Sequence, residues 1–314
     1  MRKKGMVAIC VMLAGAMAGA MQFNEWSPAV SLESVPGTDQ ALNTAFQDGC
    51  PAPSKDGLTL YMASNRPGGQ GGLDIWAAYR ESADDPFGAP VNLGPPINTA
   101  ADEFCPTPLV NGHALLFVST KAGGCGGSDI YIAREHPKKG WEPPEHLSCS
   151  VNSAGDEASP FFVAEEGDGA LYFSSTKAGG YAADPPGAIT GDADIYVSPV
   201  SSEGIVGAPV LASGVNTPAN DFRPHLRRDA LEIFFDSNRG GGFGLLDVWS
   251  ATREATTDPW SVPVNLGPDV NSIGNESRPY LSWGATTLYF GTTRAGVEGS
   301  ADIFFTTRTK ATGH

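Results

Sequence analysis

What the chain lacks narrows its chemistry first. It has no Cys-x-x-Cys pair and no His-Glu-x-x-His, and its five histidines do not cluster, so no zinc-ligating pattern is present. No Gly-x-Ser-x-Gly elbow marks a nucleophilic serine. Basic residues are few, with 20 Lys and Arg against 35 Asp and Glu. A surface of that sign repels phosphate backbones, which argues against a nucleic-acid partner. The apolar run of residues 7–18 falls short of the ~20 residues that a membrane-spanning helix needs. It follows the basic MRKK and precedes Ala18-Gly19-Ala20, the pattern of a cleaved secretory signal over residues 1–20. The expectation is a secreted or periplasmic protein, not membrane-spanning, with residues 21–314 as one domain. Losing that leader leaves 17 basic against 35 acidic residues, a net charge of about −18.

What the chain does have is a fivefold repeat. LNTAFQDGCPAP (42–53), INTAADEFCPTP (97–108), VNSAGDEASPFF (151–162), VNTPANDFRPHL (215–226) and VNSIGNESRPYL (270–281) share an Asn, an acid and a Pro at fixed spacing. Each is followed by an alternating apolar strand, such as LTLYMAS (58–64), and then by a basic glycine-rich turn, such as NRPGGQGG. A further strand opens with Asp-aliphatic-aromatic at Asp74, Asp129, Asp194, Asp247 and Asp302, and a fourth closes the unit, as in PFGAPVNLG (86–94). Four short strands with tight turns make a β-propeller blade. The fifth unit lacks its fourth strand, and WSPAVSL (26–32) aligns with WSVPVNL (260–266). An N-terminal strand over residues 25–32 would therefore complete the last blade and remove the open edge. The fold class is all-β: a five-bladed propeller of four-stranded antiparallel blades, with units starting near 48, 103, 157, 221 and 276.

SNRPGGQGGLDIW, STKAGGCGGSDIY and SNRGGGFGLLDVW, with the P-x-x-x-x-G-x-x-L pattern in PAPSKDGLTL, resemble the TolB-type, WD-like propeller repeat of Gram-negative envelope proteins. The resemblance covers essentially the whole chain after the leader. It implies the propeller fold and an envelope compartment, without the extra N-terminal domain of TolB itself, and it leaves function open.

A residue present in every unit is first a scaffold residue, so chemistry is sought where a unit departs from the pattern. The recurring Asn reads as a turn residue bonding locally. The third-strand Asp reads as an acceptor for the glycine-rich turn and a partner of its Arg or Lys. Strand alternation places Asp48, Glu103, Glu157, Asp221 and Glu276 on one face with the residues before and after the Pro, leaning toward the channel mouth. That acid ring reads as mainly structural; the alternative is a calcium ion held on the axis by hard oxygen ligands. Departures from the pattern are Arg223, His225, Arg278 and Tyr280, which with Asp221, Glu276 and Glu157 form the candidate ligand site. The third unit is also longer, by YAADPPGAITG (181–191), either a lid over the acid ring or a tolerated surface insertion.

Cys125 and Cys149 fall in the turn and exit loop of one blade, and Cys50 and Cys105 on neighbouring inner strands; both pairs are disulfide candidates. No catalytic residue or cofactor is assigned. Near-perfect repetition favours a binding or scaffold module that recognises a glycan, peptide or envelope protein at the channel mouth. The alternative is a carbohydrate-active enzyme, a glycoside hydrolase or a lyase on acidic sugars, using the channel-mouth carboxylates and the Arg/His/Tyr cluster.

Overall fold

The repeat closes into a ring. The computed structural model describes residues 23–110, 112–164, 168–182, 188 and 190–311, so the proposed leader and most of the 181–191 insertion lie outside the described residues. Blade one is Asp48–Pro53, Thr59–Ser64, Asp74–Tyr79 and Val91–Asn92, antiparallel throughout and hydrogen-bonded in chain order. Blades two, three and four repeat it from Glu103–Pro108, Glu157–Ala164 and Asp221–Leu226. In blade five, Glu276–Leu281, Thr287–Thr292 and Asp302–Thr307 are joined by Val30–Ser31, with Val30 opposite Phe305 and Ser31 opposite Phe304. The N-terminal strand thus closes the ring as the sequence predicts, over a shorter pairing than residues 25–32. No helix among the described residues is long and apolar enough to cross a membrane.

Apolar faces of adjacent blades pack together. Ile233, Phe235 and Trp249 of blade four meet Tyr172 and Ile195 of blade three in one buried cluster; Met62 and Trp76 meet Tyr289 and Ile303 across the closure. The recurring Asn contributes more than a local turn. Asn98 accepts from the Ile75 backbone N–H and donates to the Ile75 carbonyl, each at 2.9 Å. Asn152, Asn216 and Asn271 do the same to Ile130, Ile195 and Val248. Asn43 does so to Ile303, 260 residues away. Each Asn therefore clasps the third strand of the preceding blade, and one clasp spans the closure.

The glycine-rich turns obey the same economy. The Asp74 carboxylate accepts from the Gln70 backbone N–H, and a Cβ at Gly69 would lie 1.9 Å from Asp74 Oδ2; no other residue fits. The basic residue of the turn does not pair with that Asp, as the sequence suggested. Where it is Arg, it reaches the acid of the inner strand instead: Arg66 to Asp48 at 2.5 Å, Arg239 to Asp221 at 2.5 Å and Arg294 to Glu276 at 3.2 Å. Arg or Lys, it lies over the aromatic of Asp-aliphatic-aromatic, with Arg66 over Trp76 at 5.3 Å and Lys121 over Tyr131 at 3.8 Å.

Candidate functional site

The channel is built by the inner strands, and all five are interrupted at the same place. Gly49 pairs with Ala63, but the next paired residue, Ala52, faces Tyr61, so Cys50 and Pro51 together oppose Met62. Blades two to five break register at the same step. The residue before each Pro has a left-handed backbone: Cys50, Cys105, Ser159, Arg223 and Arg278 all have φ between 46° and 57°, rare for side chains other than Gly. Proline, with no N–H to lose, suits such a bulge.

The bulge overturns the alternation argument that put the acids on the channel face. Asp48, Glu103, Glu157, Asp221 and Glu276 are completely buried, turned into the loops that lead into their strands. Glu103 accepts from the Thr99 N–H and Oγ1, both at 2.7 Å, and from Ser119 Oγ at 2.6 Å. Asp221 accepts from the Thr217 N–H, Thr217 Oγ1, Ser237 Oγ and Arg239 Nη2 at 2.5–2.9 Å. Glu157 and Glu276 are held in the same way by Ser153 and Ser175, and by Ser272 and Thr292. Asp221, Glu276 and Glu157 are therefore not ligand contacts, and no ring acid faces the axis. The side chains around the axis at the bulge are two thiols, one hydroxyl and two guanidiniums, which do not fit the oxygen set that calcium requires.

Those five side chains line a narrow cavity of about 30 Å³ with the prolines. Cys50 and Cys105 are not bonded to each other; their sulfurs face at 3.1 Å, and Ser159 donates to Cys105 Sγ at 3.1 Å. Arg223 Nη1 bonds Asp236 Oδ2 at 2.6 Å, and the Arg278 backbone N–H bonds Asp236 Oδ1 at 2.9 Å. Asp236 is completely buried; burial pushes its carboxyl up, and Arg223 and Arg278 offset part of that. Sequence reasoning missed it, although the signal was present: the corresponding positions in the other blades are Ala63, Val118, Ser174 and Gly291, so Asp236 departs from its repeat.

One step further along the channel, the departures converge. Phe161, His225 and Tyr280 stack side by side, with His225 4.1 Å from Phe161 and 4.0 Å from Tyr280 between ring centroids. These three rings line both the narrow cavity and a larger pocket of about 130 Å³ beyond it, so they form a layer across the channel. Burial holds His225 at about 3, below its ordinary value, despite a hydrogen bond with the Leu281 backbone. Burial likewise raises the Tyr280 phenol above its ordinary range, so it stays protonated.

The larger pocket lies where the inner strands end, on the face opposite the acids. It adds Lys55, Arg227, Arg228 and Trp283, from the turns after the inner strands, to the ring layer. Trp283 has Arg228 over its ring at 3.2 Å and Lys55 at 4.9 Å. His225 and Tyr280, candidates from the sequence, do meet in space. Arg223 and Arg278 lie behind the rings instead, and Lys55, Arg228 and Trp283, missed in the sequence, occupy one equivalent position of a turn that repeats after the inner strands with the same backbone bonds.

Cys125 and Cys149 form a disulfide with Cα atoms 5.7 Å apart. Among the described residues, Cys125, Asp129 and His146 form the one group of potential metal ligands, but the Cys125 sulfur is committed to the disulfide.

No family model and no curated protein matches the chain. Solved structures do share its shape. An α-L-arabinofuranosidase from Podospora anserina in complex with cellotriose is 13% identical, with TM-score 0.54, covering 91% of this chain and 97% of its own. An endo-arabinase from Bacteroides thetaiotaomicron is 13% identical, with TM-score 0.55, covering 88% and 98%. A putative TolB from Agrobacterium tumefaciens is 11% identical over 93% of this chain and 100% of its own, with TM-score 0.46, too low to support the TolB type over other propellers. The propeller is thus shown, and the narrower TolB assignment is not. The expectation of a binding or scaffold module is corrected. It rested on repetition arguing against an enzyme, and structures named as an arabinofuranosidase and an endo-arabinase share the same fold, so repetition carries no such argument.

Proposed function

We propose that the protein is a carbohydrate-active enzyme whose sugar sits in the pocket formed by Phe161, His225, Tyr280 and Trp283. The observation that carries the reading is this pocket itself: a solvent-reaching concavity with an aromatic floor at the end of the channel. Aromatic faces supply flat apolar area for the C–H faces of a sugar ring, while Tyr and His offer polar edges for its hydroxyls. The arabinofuranosidase and arabinanase folds give the reading its context.

The pocket differs from a two-carboxylate hydrolase site. Among the described residues no Asp or Glu lines it, whereas hydrolysis by paired carboxylates needs two of them within about 10 Å. Tyr280, protonated, and His225, neutral, are the groups placed to donate and accept a proton there. The test is incubation of the purified protein with arabinan, xylan and polyuronate chains, following new reducing ends together with absorbance near 235 nm. Reducing ends alone indicate hydrolysis; both together indicate elimination. Product from any chain, lost in Tyr280→Phe, is the expected outcome. Absence of product from every chain contradicts the enzyme reading.

A further inference from the structure

The pocket's charge is opposite to that of the molecule. The chain has 35 acidic and 20 basic residues, yet among the described residues the charged side chains lining the pocket are Lys55, Arg227 and Arg228, with no carboxylate among them. Arg227 is already committed, with Nε bonding Asp229 at 2.8 Å and Nη1 bonding Glu232 at 3.0 Å. Lys55 and Arg228 are different. Both are exposed, and no ion pair to a carboxylate is formed by either among the described residues. They come from different blades, yet both lie over Trp283. The indole fixes the two cations at one rim of an aromatic-floored pocket. A local cation pair in an otherwise acidic surface draws and retains an anion, and a guanidinium presents a planar fork to a carboxylate.

Resting on the reading of this pocket as a sugar site, we infer that its ligand is an anionic sugar, held with its rings on the aromatic floor and its acidic group on Arg228 and Lys55. This assigns new binding residues. Arg223 and Arg278, the arginines that stood out in the repeat, lie behind the ring layer and do not reach the ligand.

Calorimetry separates this inference from the enzyme reading. The probes are an oligogalacturonate, its carboxyl-reduced counterpart, a sulfated neutral oligosaccharide and an unsulfated arabino-oligosaccharide. The expected result is at least tenfold tighter binding of the oligogalacturonate than of its reduced form, weakening as salt is raised. Arg228→Ala and Lys55→Ala should each remove most of that preference while leaving the neutral sugar's affinity unchanged. Both side chains are exposed, so circular dichroism and melting temperature should match wild type. Binding of the sulfated chain alone would keep the anionic class and change the acidic group to sulfate. Equal binding of charged and neutral chains overturns the inference and leaves the carbohydrate reading standing. Tight binding of the uronate without any turnover does the reverse, and no binding by any probe defeats both.

Discussion

His225 shows how far the environment of one side chain can be read as a measurable quantity. It is buried between two rings and kept neutral down to about pH 3, against an ordinary value of 6.5. Below pH 6.5 the unfolded chain therefore takes up a proton that the folded protein refuses. Stability from this site is intact above 6.5, falls as pH drops toward 3, and is lost below that, with a ceiling of about 5 kcal/mol. Urea unfolding of wild type and His225→Phe at pH 7, 5 and 4 should show the gap between them moving toward the mutant as pH falls. A gap independent of pH contradicts a neutral buried His225. Asp236 makes a second case. Arg223→Ala strips the cation from a fully buried carboxylate and should cost about 3–5 kcal/mol, whereas adding Asp236→Ala should recover part of the loss. Asp236 was legible in the sequence by the rule that found Arg223 and His225. It was passed over because an acid inside an apolar strand looks like an ordinary alternation residue when its partners are unknown.

Among strands and loops, the Asn clasp ties blade to blade. Asn98→Ala leaves the Ile75 N–H and C=O buried without that partner, a loss of about 1–3 kcal/mol. The Asn152, Asn216 and Asn271 variants should fall in the same range in denaturant titrations, since the geometry repeats. A loss confined to one blade would contradict a shared clasp. The sequence made the Asn visible as a repeated letter but hid its role. Its partner lies 21–23 residues back in four units and 260 residues away in the fifth, and a turn residue and a clasp look alike in a string. The inner-strand bulge was hidden for a related reason. Period-two alternation assumes an unbroken register, and one left-handed residue before each Pro reassigns which side chains reach the channel.

Taken as a whole, the molecule was the most legible level, because blade count and closure depend on period rather than on contacts. Its covalent cross-linking gives a direct count. Unfolded without reductant, a chain beginning at Met21 should react with two equivalents of thiol reagent, Cys50 and Cys105, and after reduction with four. Two reactive thiols that become none on mild oxidation would show that the facing sulfurs have closed across blades one and two. Reducing the Cys125–Cys149 bridge, which spans 24 positions, should lower stability by about 3 kcal/mol. Closure is reinforced by Arg308, whose guanidinium holds both oxygens of Glu232 at 2.6 and 2.7 Å while covering Phe23 and Trp26. The bulge has a consequence for how such a ring diversifies. It separates the letters that hold the blades together from those that face the axis, so substitution at 50, 105, 159, 223 and 278 leaves the acid anchors and the Asn clasps untouched. A library randomised at those five positions, with Asp236 varied alongside Arg223, samples new channel chemistries on a constant frame, and the folded fraction of its members measures how independent the two alphabets are.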